Sequence, residues 1–317
     1  MITIRNTVLS SLIGSALMCL SLATHSFELT HSTGTLHRDT PPQKIVSYEI
    51  AHIDTLNALG IEVAGVPKST YKDELSKFND LPVVGTLFEP DFAALKELQP
   101  DLIIAGGRSA NAIEALNTLA PTVSFQTDPN NFLASVKQST LQLAHAFEVT
   151  EQAQEKLAQL EQQVQELHQL NHGKTGALLF TINGRLIPHA PGDRFGYVYE
   201  LSGLQSILPK RTAHELNQPR PEPGSAEAHA AAAKIANELN TIAKADPDWI
   251  IMLDRGAIND GEKTAATTLA AHDALRQTRA FKEGRIYYAE PNRWYLITGG
   301  LNNLTQITAD MLEHMRP

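Results

Sequence analysis

Two stretches of the chain follow one plan. QPDLIIAGGR (Gln99 to Arg108) and DPDWIIMLDR (Asp246 to Arg255) each place Pro-Asp before an apolar run and an arginine at the same offset after it. Each reads as a buried strand that delivers an arginine to its carboxyl end, where open α/β sheets bind ligands. A third arginine, Arg194, lies in PGDRFG, a Pro-Gly-rich turn before a helix. Guanidinium groups keep their charge and hold their donors in a fixed fork, so converging ones suit an anionic oxygen ligand. The same arginines also suit structural ion pairs, with Asp254 and Asp193 adjacent. In EPNRWYLITGG, Trp294 and Tyr295 follow the last strand. Rings there either floor an aromatic ligand or pack half-buried, and a tyrosine oxygen can ligate ferric iron. His229, in AEAHAAAAK, offers a neutral imidazole to a metal or simply lies exposed on an Ala-rich helix. No HExxH, GxSxG, Walker-type phosphate loop or dinucleotide-binding glycine pattern occurs. These absences argue against zinc protease, hydrolase, NTPase and dinucleotide-enzyme chemistry.

The elements that must position these residues alternate. KIVSYE reads as a strand, HIDTLNALG as a helix stopping at Gly60, and EVAGVP as a second short strand. EPDFAALKELQ and NAIEALNTLA read as helices, with DLIIAGG and TVSF as strands. A run without Gly or Pro follows, and its TEQAQEKLAQLEQQVQELHQL carries Leu157, Leu160, Val164, Leu167 and Leu170 at helical spacing. A long helix with so narrow a stripe either bridges two lobes or pairs in a coiled-coil dimer. Alternation then restarts with ALLFTI, FGYVYELSGL, NELNTIAKA, DWIIML and RIYYAE, and an amphipathic helix closes the chain. LPKRTAHELNQPRPEPGSAEAH reads as a long surface loop. The expected fold class is α/β. Two lobes with mainly parallel sheets (27–145 and 172–317) are joined by a long rigid helix (146–171), with a ligand cleft between them.

The chain has 317 residues and a formal net charge of −9, which argues against nucleic acid as the main partner. Residues 1–26 resemble a secretory signal, with Arg5 before the apolar TVLSSLIGSALMCLSLA. The only cysteine, Cys19, lies inside that segment, in a context that lacks the small residue preceding a lipidated cysteine. The expected product is an exported, unlipidated, periplasmic protein without a disulfide.

Taken together, GTLFEPDFAALKELQPDLIIAGGR, PGDRFG, DPDWIIMLDRG and NRWYLITGG resemble the periplasmic binding proteins of ABC importers for iron-siderophores, haem and cobalamin, and within them the ferric catecholate binders. The resemblance spans Gln43 to the end of the chain. It implies a monomeric, non-enzymatic carrier that captures a ferric siderophore and hands it to a membrane permease. It also implies that Arg108, Arg194 and Arg255 cradle the anion, with Trp294 near its aromatic rings. Tyr295 would complete the coordination of iron, which is cargo and not a catalytic cofactor. The family's His-Gly motif is missing: an ungapped count puts Ala233 at that position, and His229 lies one helical turn earlier. His229 is the candidate second iron ligand. Glu89 and Glu238 are candidates for the permease contacts, although the usual first-lobe position falls nearer Ala93. Haem or cobalamin carriage on the same fold, and a periplasmic hydrolase, are the competing readings.

Overall fold

The computed structural model describes residues 26–316. Residues 1–25, with Arg5, Cys19 and nearly all of the expected secretory signal, lie outside the described residues. The chain opens with an antiparallel hairpin of β1 (Phe27–His31) and β2 (Gly34–Arg38). Both strands precede the Pro41-Pro42 pair, in a stretch to which the sequence assigns no element. The first lobe is built on a parallel sheet of β3 (Ile45–Ser47), β4 (Leu102–Ile104) and β5 (Thr122–Val123). Helices α1 (Ile50–Ala58), α2 (Phe92–Leu98) and α3 (Ile113–Leu116) connect its strands. The expected strand at EVAGVP reduces to single bridges, Val46 to Gly65 and Val66 to Val83. Helices α4 (Phe132–Ala146) and α5 (Thr150–Leu170) follow.

The second lobe carries a sheet in the order β10-β9-β6-β7. It comprises β6 (Thr175–Ile182), β7 (Arg185–His189), β9 (Trp249–Asp254) and β10 (Ile286–Ala289), and β8 (Gln205–Ser206) pairs with the start of β6. All pairings are parallel except the β6–β7 hairpin. Around the sheet lie α6 (Tyr197–Ser202), α7 (Ala213–Leu216), α8 (Ala226–Ala245), α9 (Ala265–Ala270), α10 (Arg279–Lys282) and α11 (Leu301–Met315). The stretch read as one long loop contains α7 and the start of α8. Ser225 caps α8 by accepting a hydrogen bond from the Ala228 N–H at 3.1 Å.

Every residue of β9 is buried, as a strand covered on both faces requires. Ile251 and Leu253 join the larger apolar cluster, and Ile250 and Met252 a second one. The repeated Pro-Asp has one job in both lobes. The preceding helix stops at a left-handed residue, Gln99 (φ 54°) or Asp246 (φ 53°). The Asp then pins the neighbouring strand's start. Asp101 accepts from the N–H groups of Gln43 and Lys44, each at 2.8 Å, and Asp248 from the Thr175 N–H at 2.8 Å. Each strand is thereby fixed in register, and the arginine beyond its end is placed with it.

The α5 stripe is covered within the chain. Ala153, Leu157, Leu160, Val164 and Leu167 are buried, and α5 packs on α4, α6 and α11. One continuous apolar cluster joins Ile53 and Leu56 of α1, Leu157 and Leu160 of α5, and Leu304 and Ile307 of α11.

Candidate functional site

Tyr295 is the centre of the candidate site. It sits in a π-type helical turn, Asn292–Ile297, that follows β10 and ends at Thr298 with φ 67°. Such turns release backbone carbonyls from the regular helical pattern and are frequent at functional sites. Here Arg108 of the first lobe uses them. Its guanidinium donates to the carbonyls of Tyr295 at 2.8 Å and Leu296 at 3.2 Å, so its side chain crosses between the lobes. The guanidinium of Arg194 lies 5.4 Å from the Tyr295 ring centre, and that of Arg255 lies 5.3 Å from it. The structure thus brings Arg108, Arg194, Arg255 and Tyr295 together.

The acids beside the arginines in sequence are occupied elsewhere. Asp193 accepts from the Ala190 and Phe195 N–H groups, each at 2.9 Å, and pairs with His189 at 3.0 Å. These bonds and the charge of His189 outweigh burial and hold its carboxyl below the usual range. Asp254 accepts from the N–H groups of Gly256, Thr264 and Ala265. Both carboxylates therefore shape the turns that carry the arginines. Among the described residues, Arg108, Arg194 and Arg255 form no ion pair within 4.0 Å. Burial, with the nearby charge of Arg194, holds Arg108 below the ordinary guanidinium range.

Two residues that the sequence reading passed over complete the site. Phe195 stacks on Tyr295, ring centres 5.4 Å apart and planes 19° apart, and Arg194 lies 4.9 Å over Phe195. Glu49, at the end of β3 and the N-cap of α1, presses against the turn that carries Arg108. A Cβ on Gly107 would lie 3.1 Å from both oxygens of the Glu49 carboxylate. Its Oε1 is buried without a hydrogen-bond partner. Burial pushes the carboxyl above its ordinary range, against the opposing charges of Arg108 and Arg194. Position was the available signal for both, an aromatic next to Arg194 and an acid at a strand's carboxyl end.

Three expectations need correction. Trp294 does not floor the cleft. It is 1% exposed, stacks on Tyr197 at 5.6 Å and meets Tyr287 edge-on at 6.1 Å. The helical turn carries adjacent residues in different directions, so Tyr295 faces the arginines while Trp294 packs into the core. His229 does not join the cluster. Capping by Ser225 draws it into the first turn of α8, where it is exposed and its N–H donates to the Ser225 carbonyl at 3.1 Å. Among the described residues, no three His, Cys, Asp or Glu side chains converge on a possible metal position. Glu238 is not free to dock a partner. Arg211 holds it in a two-pronged pair, with Nη2 at 2.8 Å from Oε2, and its side chain is 14% exposed. Glu89 is exposed beside exposed Phe88 on the first lobe.

Residues 45–292 match the family model described as periplasmic binding protein. The petrobactin-binding protein YclQ of Bacillus subtilis is 27% identical over 276 residues, 85% of this chain and 81% of the relative. The ferric-anguibactin-binding protein FatB of Vibrio anguillarum is 25% identical over 294 residues, 90% of this chain and 86% of the relative. The crystal structure of the periplasmic catecholate-siderophore binding protein VctP of Vibrio cholerae superposes with a TM-score of 0.73 at 24% identity, covering 92% of this chain and 99% of that one. It shares the fold. The chain belongs to the periplasmic binding protein family.

Proposed function

We propose that the protein is a periplasmic carrier that captures a ferric catecholate-type siderophore and delivers it to an ABC importer. The observation that carries this reading is the set of three arginines, free of carboxylate partners among the described residues, around one partly buried tyrosine. Catecholates are hard anionic oxygen donors, and their ferric complexes remain negative. Arg194 and Arg255 supply charge-assisted hydrogen bonds to such an anion, and Arg108 adds positive charge from the other lobe. Phe195 and Tyr295 offer flat apolar faces to its rings. The Tyr295 hydroxyl can take a vacant iron position when the chelator leaves one. The petrobactin, ferric-anguibactin and catecholate-siderophore binders among the relatives support a siderophore as cargo. The secretory character of residues 1–26 supports export, and exposed Glu89 is the remaining candidate for the permease contact.

Fluorescence titration of the exported form with tetradentate and hexadentate ferric catecholates, haem and cobalamin tests the reading. Saturable quenching by a ferric catecholate at submicromolar concentration is the expected result. Tight binding of haem or cobalamin with no response to any ferric catecholate would retain the family and reject the ligand.

A further inference from the structure

A second concavity adjoins the arginine cluster. The β6–β7 hairpin, the amino-terminal half of α8 and helix α9 enclose an open groove of about 1000 Å³ within the second lobe. Volumes of this order hold small-molecule ligands. Its walls are mainly apolar, with Ile182 and Ile187 on the hairpin and Ala228, Ala232 and Ile235 on α8. These α8 residues are partly or fully exposed, whereas Leu239 and Ile242 further along the helix are buried. The helix is therefore anchored at its carboxyl-terminal half, and its Ala-rich half forms one wall of an open channel.

The groove is continuous with the candidate site. Arg255 lines it and also places its guanidinium 5.3 Å from the Tyr295 ring centre. Arg185 and Arg220 also border it, and neither they nor Arg255 forms an ion pair within 4.0 Å among the described residues. An occupant that reaches the groove past Arg255 thus has an anionic part at the arginines and an apolar part between the hairpin and α8.

We infer that the groove is a subsite for an aliphatic arm of the cargo, so that the protein selects amphiphilic ferric chelates over chelates with the same headgroup and no tail. This rests on the siderophore reading and adds a substrate class to it. Burial of about two methylene groups already supplies about tenfold in affinity.

The test uses two synthetic ferric bis-catecholates that share one headgroup, one of them bearing an octanoyl chain below its micelle concentration. Each is titrated into wild type, Ala232→Trp on α8 and Thr268→Trp on α9, two positions that both line the groove. Circular dichroism checks that the variants fold. The expected result is at least about tenfold tighter binding of the acylated chelate to wild type. Both variants should lose that advantage while binding the plain chelate as wild type does. Equal affinity of wild type for the two chelates would overturn the subsite and leave the siderophore reading standing. Failure of wild type to bind either would remove both. A concentration-dependent dimer in sedimentation, abolished by Ala232→Trp, would assign the groove to a second copy of the chain and overturn the inference.

Discussion

At the scale of single residues, the site is a question of which charges are left unneutralised. Asp193 and Asp254 spend their acceptors on backbone N–H groups, which fixes the loops and leaves Arg194 and Arg255 for a ligand. Replacing either arginine by Ala should weaken binding of a ferric catecholate about 10- to 100-fold, the range for a lost charge-assisted hydrogen bond, in a titration by fluorescence. Tyr295→Phe should remove the preference for a tetradentate over a hexadentate chelate and leave hexadentate binding within about threefold, since ring packing is kept. Glu49 opposes the arginines from beneath. Glu49→Gln should tighten anion binding several-fold by the same titration, and weakened binding would instead mean that the acid holds Arg108 in position. The arginine pair was legible because both copies keep the same distance from Pro-Asp. The facing of Trp294 and Tyr295 was not, because neighbours on a helical turn point in different directions and only the packing around them decides which is buried. Trp294→Phe should therefore lower the melting temperature without changing ligand affinity.

At the scale of elements, the lobes are tied by a shared helix end. Thr55 Oγ1 accepts from the Leu301 N–H at 3.2 Å, and Asp54 Oδ2 from the Asn303 N–H at 3.0 Å, so α1 of the first lobe caps α11 of the second. Burial pushes the Asp54 carboxyl up to about 7, against its backbone hydrogen bonds and the charge of Arg293, with Glu74 adding to the rise. A folded value raised above the unfolded one favours the protonated form. The contribution is fully present below the unfolded value, about 4, and is lost as pH rises towards 7. Thermal melts should show Asp54→Asn gaining stability relative to wild type between pH 5 and 8, by about 1–3 kcal/mol. A pH-independent difference would contradict the assignment. The long helix, the Pro-Asp starts and the strand alternation were legible from apolar period and turn residues. The β1–β2 hairpin and the start of α8 were not. The former carries polar residues on its open face, and the latter depends on one capping serine within a Pro-rich stretch.

At the scale of the whole molecule, the apolar cluster through α1, α5 and α11 packs elements of both lobes against one another among the described residues. Small-angle scattering with and without a saturating ferric catecholate should therefore change little. A closure of many degrees would require that cluster to open. The central claim is that unpaired arginines from both lobes capture an anionic ferric chelate. Calorimetric titration of one tetradentate ferric catecholate into wild type and into the Arg108→Ala, Arg255→Ala double variant tests it most directly. The account predicts submicromolar, saturable binding to wild type and a loss of at least about 100-fold in the variant. Equal affinity for the two proteins would contradict it.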